Sequence, residues 1–231
     1  MEQTTANLNN QQKNKVFEVL QETELGEFLL KYKTAVLAFV SLLMLSLIGY
    51  GGYVYWHGEK INQWSGQIFQ FRTGSFKDYM DKKIDDGELK KQFELMATSM
   101  KGERILFLPL IETSDELAKR GNKKEALGLL QNWGIGGVKL EPTAEYLIGV
   151  RIATLLEDLD KNDEAIAQLE KLRSSSLKIM ETKTVLDLGR LYLKKADKEK
   201  ALKQFQFVID NTAQADLVKL ARLYKGQISK K

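Results

Sequence analysis

The sequence predicts an all-α protein, a single N-terminal transmembrane helix followed by an α-solenoid of helical hairpins. Three observations lead there. Thr34 to Trp56 is one apolar run without a charged residue. The whole chain has only two prolines, Pro109 and Pro142, and is rich in Leu, Lys, Glu, Ala and Gln beyond the apolar run, so breakers are few and helix formers many. Three stretches between Leu110 and Val208 then repeat one pattern of small and large apolar residues.

The first segment, residues 1–33, opens with a polar, Asn/Gln-rich stretch over 1–14 whose composition suits disorder. Val16, Phe17, Leu20, Leu25, Phe28 and Leu29 then recur at roughly helical spacing among Glu18, Glu22, Glu24 and Glu27. That pattern predicts a short amphipathic helix, serving either as a partner contact or as a simple lead-in to the span.

The span, residues 34–56, reads TAVLAFVSLLMLSLIGYGGYVYW. At about 1.5 Å per residue it is roughly 35 Å long as a helix, enough to cross a hydrocarbon core of about 30 Å. Tyr32 marks one edge; Tyr50, Tyr53, Tyr55 and Trp56 crowd the other, as in an interfacial aromatic belt. A cleaved signal peptide is the competing reading. The run is too long for a signal core, and Tyr53-Val54-Tyr55-Trp56 offers no small-residue cleavage site. Lys31 and Lys33 abut the first edge and Lys60 alone lies close to the second, which favours a cytoplasmic N-terminus and a periplasmic C-terminal domain in a bacterial inner membrane. Gly49, Gly51 and Gly52 do not form GxxxG and carry no expectation of self-association.

Residues 57–231 are long enough to bury a core of their own. Gln63 to Met100 is expected to form a degenerate helical unit. Ile68, Phe69, Phe76, Tyr79 and Met80 mark one helix. Leu89, Phe93, Leu95, Met96 and Met100 mark another, after the turn Asp85-Asp86-Gly87. The three similar stretches follow, at Leu110–Trp133, Gly149–Leu172 and Val185–Val208. Their anchor alanines are Ala126, Ala165 and Ala201, 39 and 36 residues apart. Leu130, Leu169 and Phe205 stand four residues later, and Trp133, Leu172 and Val208 three beyond those. Twelve residues before the alanines come Ser114, Ala153 and Gly189, followed at three by Leu117, Leu156 and Tyr192. Small residues are needed where the helices of a hairpin cross closely, and large ones fill the space beside them. Leu217, Leu220, Ala221 and Tyr224 predict a last amphipathic helix that caps the stack.

On these positions, best in Leu188-Gly189, Tyr192, Ala201 and Phe205, the domain resembles the tetratricopeptide repeat. The spacings are longer than the family's, and its closing proline is missing; an irregular helical bundle is the alternative. The resemblance implies a groove lined by the first helix of each hairpin. Transferred onto this sequence, it places Ile111, Asp115, Val150, Thr154, Leu186, Arg190 and Lys194 on the groove. It places Ala126, Ala165, Ala201, Gly189, Tyr192 and Phe205 in the packing between helices.

Little in the chain speaks for catalysis. Without cysteine, disulfides and thiolate metal sites are excluded, and the single histidine, His57, lies at the membrane edge. Gly134-Ile135-Gly136-Gly137 is not GxGxxG and reads as a loop between repeats. The net charge of +4 is dispersed, with acids and bases interleaved as in Asp197-Lys198-Glu199-Lys200, so no basic nucleic-acid face is expected. No cofactor, metal or small-molecule substrate is expected.

Taken in order, an acidic lead, the run Phe28-Leu29-Leu30-Lys31-Tyr32-Lys33-Thr34-Ala35 into the span, Tyr55-Trp56 at its exit and a repeat domain of this size resemble the YfgM-like family. The resemblance implies an ancillary subunit of the SecYEG translocon that works with the periplasmic chaperone PpiD on emerging secreted proteins. Two other readings are a membrane-tethered tetratricopeptide scaffold of another envelope-assembly system and a non-catalytic subunit of a membrane enzyme.

Overall fold

A computed structural model describes Phe28 and residues 31–134, 140–174 and 180–229. The expected amphipathic lead helix and the glycine loop after Gly134 lie outside these residues, apart from Phe28. Every element among the described residues is helical. They are α1 (Lys33–Phe71), α2 (Lys77–Met80), α3 (Asp86–Thr98), α4 (Phe107–Lys119), α5 (Lys123–Leu129), α6 (Pro142–Asp158), α7 (Asn162–Arg173), α8 (Glu181–Lys194), α9 (Lys198–Asn211) and α10 (Ala215–Ser229). Two stretches of wider, π-type winding, Arg72–Phe76 and Leu130–Gly134, follow α1 and α5, and a short 3-10 turn, Arg104–Leu106, precedes α4.

The chain divides into two compact units, 1–62 and 63–231. The first holds the apolar part of α1, which is long and apolar enough to cross a membrane and has none of its apolar window buried in protein. Tyr32, Tyr53, Tyr55 and Trp56 are all exposed. Tyr53 stacks on His57 with ring centroids 5.7 Å apart, and Lys60 Nζ lies 3.7 Å above the Trp56 ring. Polar ends on aromatic bodies are the chemistry of a membrane–water boundary.

In the second unit, helices pack as successive pairs: α4 with α5, α6 with α7, α8 with α9. Neighbouring pairs are joined through α5 on α6 and α7 on α8, and α10 packs on both α9 and α8. The turns inside the pairs are built alike. The amide N–H of Asn122 donates to Leu117 O and that of Gly121 to Ala118 O. Lys161 to Leu156 with Asp160 to Glu157, and Asp197 to Tyr192 with Ala196 to Leu193, repeat the same two bonds. Each is a Schellman turn with its central residue in the left-handed region: Gly121 at φ +94°, Asp160 at +58° and Ala196 at +61°. These residues stand five before Ala126, Ala165 and Ala201, all three fully buried. Lys82, at φ +61°, makes the same turn after α2, with Lys83 N–H donating to Asp78 O and Lys82 N–H to Tyr79 O. It lies 39 residues before Gly121, the same interval that separates Gly121 from Asp160.

Of the three hairpin turns, the third alone places neither glycine nor aspartate in the left-handed region. Ala196→Gly is therefore expected to stabilise the protein by about 1 kcal/mol, because the Cβ clash it removes is worth roughly 1–2 kcal/mol and glycine's added unfolded-state freedom offsets part of it. Denaturant unfolding of the full chain in detergent measures this; a destabilised variant would contradict the turn geometry.

The helix crossings use the small residues in two ways. Gly189 has no room for a side chain: a Cβ there would sit 2.6 Å from Cε1 of Phe205. In the first pair Ser114 stands at the equivalent position, and its hydroxyl donates to Ala126 O at 3.2 Å. In the second pair Ala153 is buried, but the closest approach falls at Gly149, where a Cβ would meet Leu172 Cδ2 at 2.5 Å.

Two apolar clusters result. One runs from Phe71, Tyr79 and Phe93 through Leu110, Leu130 and Ile152 to Leu188 and Leu191. The other joins Val185, Leu186, Ala201, Phe205 and Val208 to Ala221 and Ile228 of α10. Of the apolar residues expected in the unit before the first pair, Phe69, Met80 and Leu95 are exposed while Tyr79, Leu89, Phe93, Met96 and Met100 are buried. Tyr79 ties this unit to the next turn. Its hydroxyl donates to Asp86 Oδ1 at 2.5 Å, Asn122 Nδ2 donates to Asp86 Oδ2 at 3.2 Å, and the Arg120 guanidinium lies 3.7 Å over its ring.

Candidate binding face

The first helices of the three pairs, α4, α6 and α8, are linked through side chains one repeat apart. Arg151 Nε and Nη2 donate to the two carboxylate oxygens of Asp115, at 3.0 and 3.2 Å. Arg190 does the same to Glu157, with Nη2 at 2.7 Å from Oε2. Lys194 Nζ adds a longer contact to Glu157 at 3.9 Å and reaches Asp160 at 3.5 Å. Arg72, ahead of the first pair, closes the row by donating to Glu112 at 2.7 Å. Forked pairs of this kind fix the angle between helices as well as adding attraction, because both N–H groups must point at one carboxylate.

Burial grades the row. The Glu157 side chain is only 16% exposed, against 41% for Asp115. The Arg190 hydrogen bond holds the Glu157 carboxyl below the ordinary glutamate range, against the opposing effect of its burial.

Five of the seven residues expected on a groove lie along this row. Val150, Thr154 and Arg190 line one small cleft between α6 and α8, floored by Ala153, Leu169 and Leu191, and Lys194 extends its charged edge. Asp115 belongs to the pair one repeat earlier. Ile111 and Leu186 do not face a groove. Ile111 is 8% exposed in the first cluster, because α4 is packed by α3 on one side and α6 on the other. Leu186 is 6% exposed because α10 folds against α8 and covers it with Ala221 and Ile228.

Of the residues expected in the packing between helices, Gly189 lies directly against the Phe205 ring. Ala126, Ala165, Ala201 and Phe205 are fully buried, and Tyr192 is half-buried against both clusters. Burial, followed by nearby Glu170, raises the Tyr192 phenol above its ordinary range. Sequence reading missed Arg151 and Glu157, though the signal was present: an opposite charge 36 residues after Asp115 and another 33 before Arg190.

A second concavity, of about 360 Å³, opens between the end of α1 and α3. It is lined by Gln67, Gln70, Gln92, Ser75 and Ser99 around Phe71, Leu95 and Met96. Ser99 Oγ donates to Gln67 Oε1 at 2.8 Å. Among the described residues no three His, Cys, Asp or Glu gather as they would around a metal ion. No protein-family model matches the chain, and no curated protein matches it.

Proposed function

We propose that the chain is a non-catalytic, membrane-anchored protein-binding module. Its tetratricopeptide-like second unit presents the α4, α6 and α8 face to a polypeptide partner. The observation that carries this reading is the recurrence of one Schellman turn five residues before each buried anchor alanine, at intervals of 39 and 36 residues. Repetition of one hairpin brings the same helix face into register repeat after repeat, and a surface built this way is extended and concave enough to receive a chain rather than a small molecule. The forked Asp115–Arg151 and Glu157–Arg190 pairs hold that register without closing the face.

The apolar helix from Lys33 anchors the module in a bacterial inner membrane. The Lys31 and Lys33 pair favours the N-terminus in the cytoplasm and residues 57–231 in the periplasm. Within this reading the module is an ancillary subunit of the Sec translocon, working beside a PpiD-like chaperone on secreted proteins as they emerge. Neither nucleic acid nor a small-molecule substrate is part of it.

Mild detergent extraction with quantitative pull-down tests the assignment. SecYEG and the chaperone should be recovered near stoichiometrically with the full chain; their absence rejects the translocon role. A different stoichiometric set would instead place the module in another envelope-assembly system or in a membrane enzyme. The chain lacks cysteine, so a single one introduced at Lys13 or Lys171 reports sidedness directly. Only the second should react with an impermeant maleimide in intact cells with a permeabilised outer membrane.

A further inference from the structure

The same face restricts what it can hold. Its cations are Arg72, Arg151, Lys183, Arg190 and Lys194, and each has a carboxylate within 4.0 Å: Glu112 for Arg72, Asp115 for Arg151, Asp187 for Lys183, and Glu157 for both Arg190 and Lys194. Asp160 shares Lys194, and Asp187 lies 4.0 Å from Arg190. Five cations thus face five carboxylates, and the row is neutral within itself. A charged partner would have to break a forked pair to gain one, which leaves a half-buried charge unpaired.

The apolar residues on these helices are the ones left open. Leu108 on α4 is 51% exposed, Leu147 on α6 38%, and Met180 at the start of α8 42%. Each stands seven residues, two helical turns, before a member of the polar row: Asp115, Thr154 and Asp187. The row and the apolar positions therefore share a face in all three repeats. Tyr146 and Thr184, whose hydroxyls are 3.1 Å apart, tie the N-terminal halves of α6 and α8 at this level. Packed helices lie about 8–10 Å apart, so successive open side chains recur at about that interval. A polyproline II segment covers the same distance in three residues at about 3.1 Å each, and its three residues per turn return every third side chain to the same face.

We propose that this face takes an uncharged polypeptide segment in the polyproline II conformation, whose aliphatic side chains recur at every third residue and seat on Leu108, Leu147 and Met180. The proposal rests on the protein-binding reading above and adds the chemical class of the bound segment. An unfolded secreted chain supplies such segments; a folded, charged protein surface does not.

Titration calorimetry on the full chain in lipid nanodiscs, with empty discs as the blank, tests it. The probe is a synthetic peptide with leucine at every third position and serine or threonine between; two others carry glutamate or lysine in place of the serines. The neutral peptide should bind tightest. Its affinity should change less than about twofold between about 0.05 and 0.5 M salt, because no ion pair is screened. L108S together with L147S should weaken it by about tenfold or more, the loss expected for uncovering two leucine contacts, with unchanged thermal unfolding because both residues are exposed. Tighter binding of a charged peptide, a tenfold loss with salt, or indifference to L108S/L147S overturns the proposal. A photo-crosslinking residue at Thr154 in native membranes separates the two levels. If it captures a polypeptide there while the neutral peptide does not bind, the uncharged-segment proposal alone fails. If neither is seen, the protein-binding reading fails with it.

Discussion

Phe205→Ala is expected to lower the unfolding free energy by about 3–5 kcal/mol, the range for emptying a fully buried aromatic site. The ring is inaccessible to solvent, lies over Gly189 and stacks on Tyr224 with centroids 5.2 Å apart, so its removal opens a cavity where α8, α9 and α10 meet. The glycine beneath it makes a sharper test. Gly189→Ala in the native background places a methyl 2.6 Å from the ring, and the ring cannot retreat from a packed core. Overpacking of that kind costs about 1–3 kcal/mol, against a gain of up to about 1 kcal/mol from replacing glycine in mid-helix. In the Phe205→Ala background the clash is gone and the helical gain remains, so Gly189→Ala should become neutral or stabilising. Denaturant unfolding of the four proteins in detergent gives the coupling directly. Additive costs would mean that the two helices do not cross at this point.

That crossing was legible in the sequence because it needs a small residue and a large one at a set interval, and both recur in three stretches. The anchor alanines were legible for the same reason. The turns were readable as polar stretches but not as one geometry. The residue that enters the left-handed region is glycine in the first, aspartate in the second and alanine in the third. Only backbone hydrogen bonding reveals that they are alike. The fourth member, at Lys82, was obscured because its turn is longer before α3 begins and no alanine follows at the usual interval. Gly149 was missed because the second pair shifts its closest approach by one helical turn from Ala153.

The groove was harder to read than the packing. A repeat register assigns Ile111 and Leu186 to an open face only if nothing beyond the repeat touches them. Leu186 is buried because it lies next to the capping helix α10, and Ile111 because α4 is packed between α3 and α6. Conversely, the ion pairs that hold α4, α6 and α8 together join residues more than thirty positions apart, and helical periodicity does not link such residues.

Glu157→Ala should cost about 2 kcal/mol, more than a surface ion pair and less than a fully buried one, because it strips a forked partner from Arg190 while that guanidinium stays partly desolvated. The sign of the pH dependence follows from the depressed Glu157 carboxyl. A group whose pKa is lower folded than unfolded contributes fully above its unfolded value, about 4.3, and loses that contribution as pH falls through the folded value. Glu157→Gln, which keeps the shape and removes the charge, should therefore be less stable than the native chain at pH 7, with the gap closing below about pH 4 as Glu157 protonates. A gap that widened in acid would reverse the assigned cause. The neighbouring pair supplies the scale. Asp115–Arg151 has the same forked geometry with a more exposed carboxylate, so its coupling in a double-mutant cycle should stay below about 1 kcal/mol while Glu157–Arg190 reaches about 1–2 kcal/mol. If the two couplings were equal, geometry alone would set the strength of the row; the expected inequality makes burial between α6 and α8 the deciding factor.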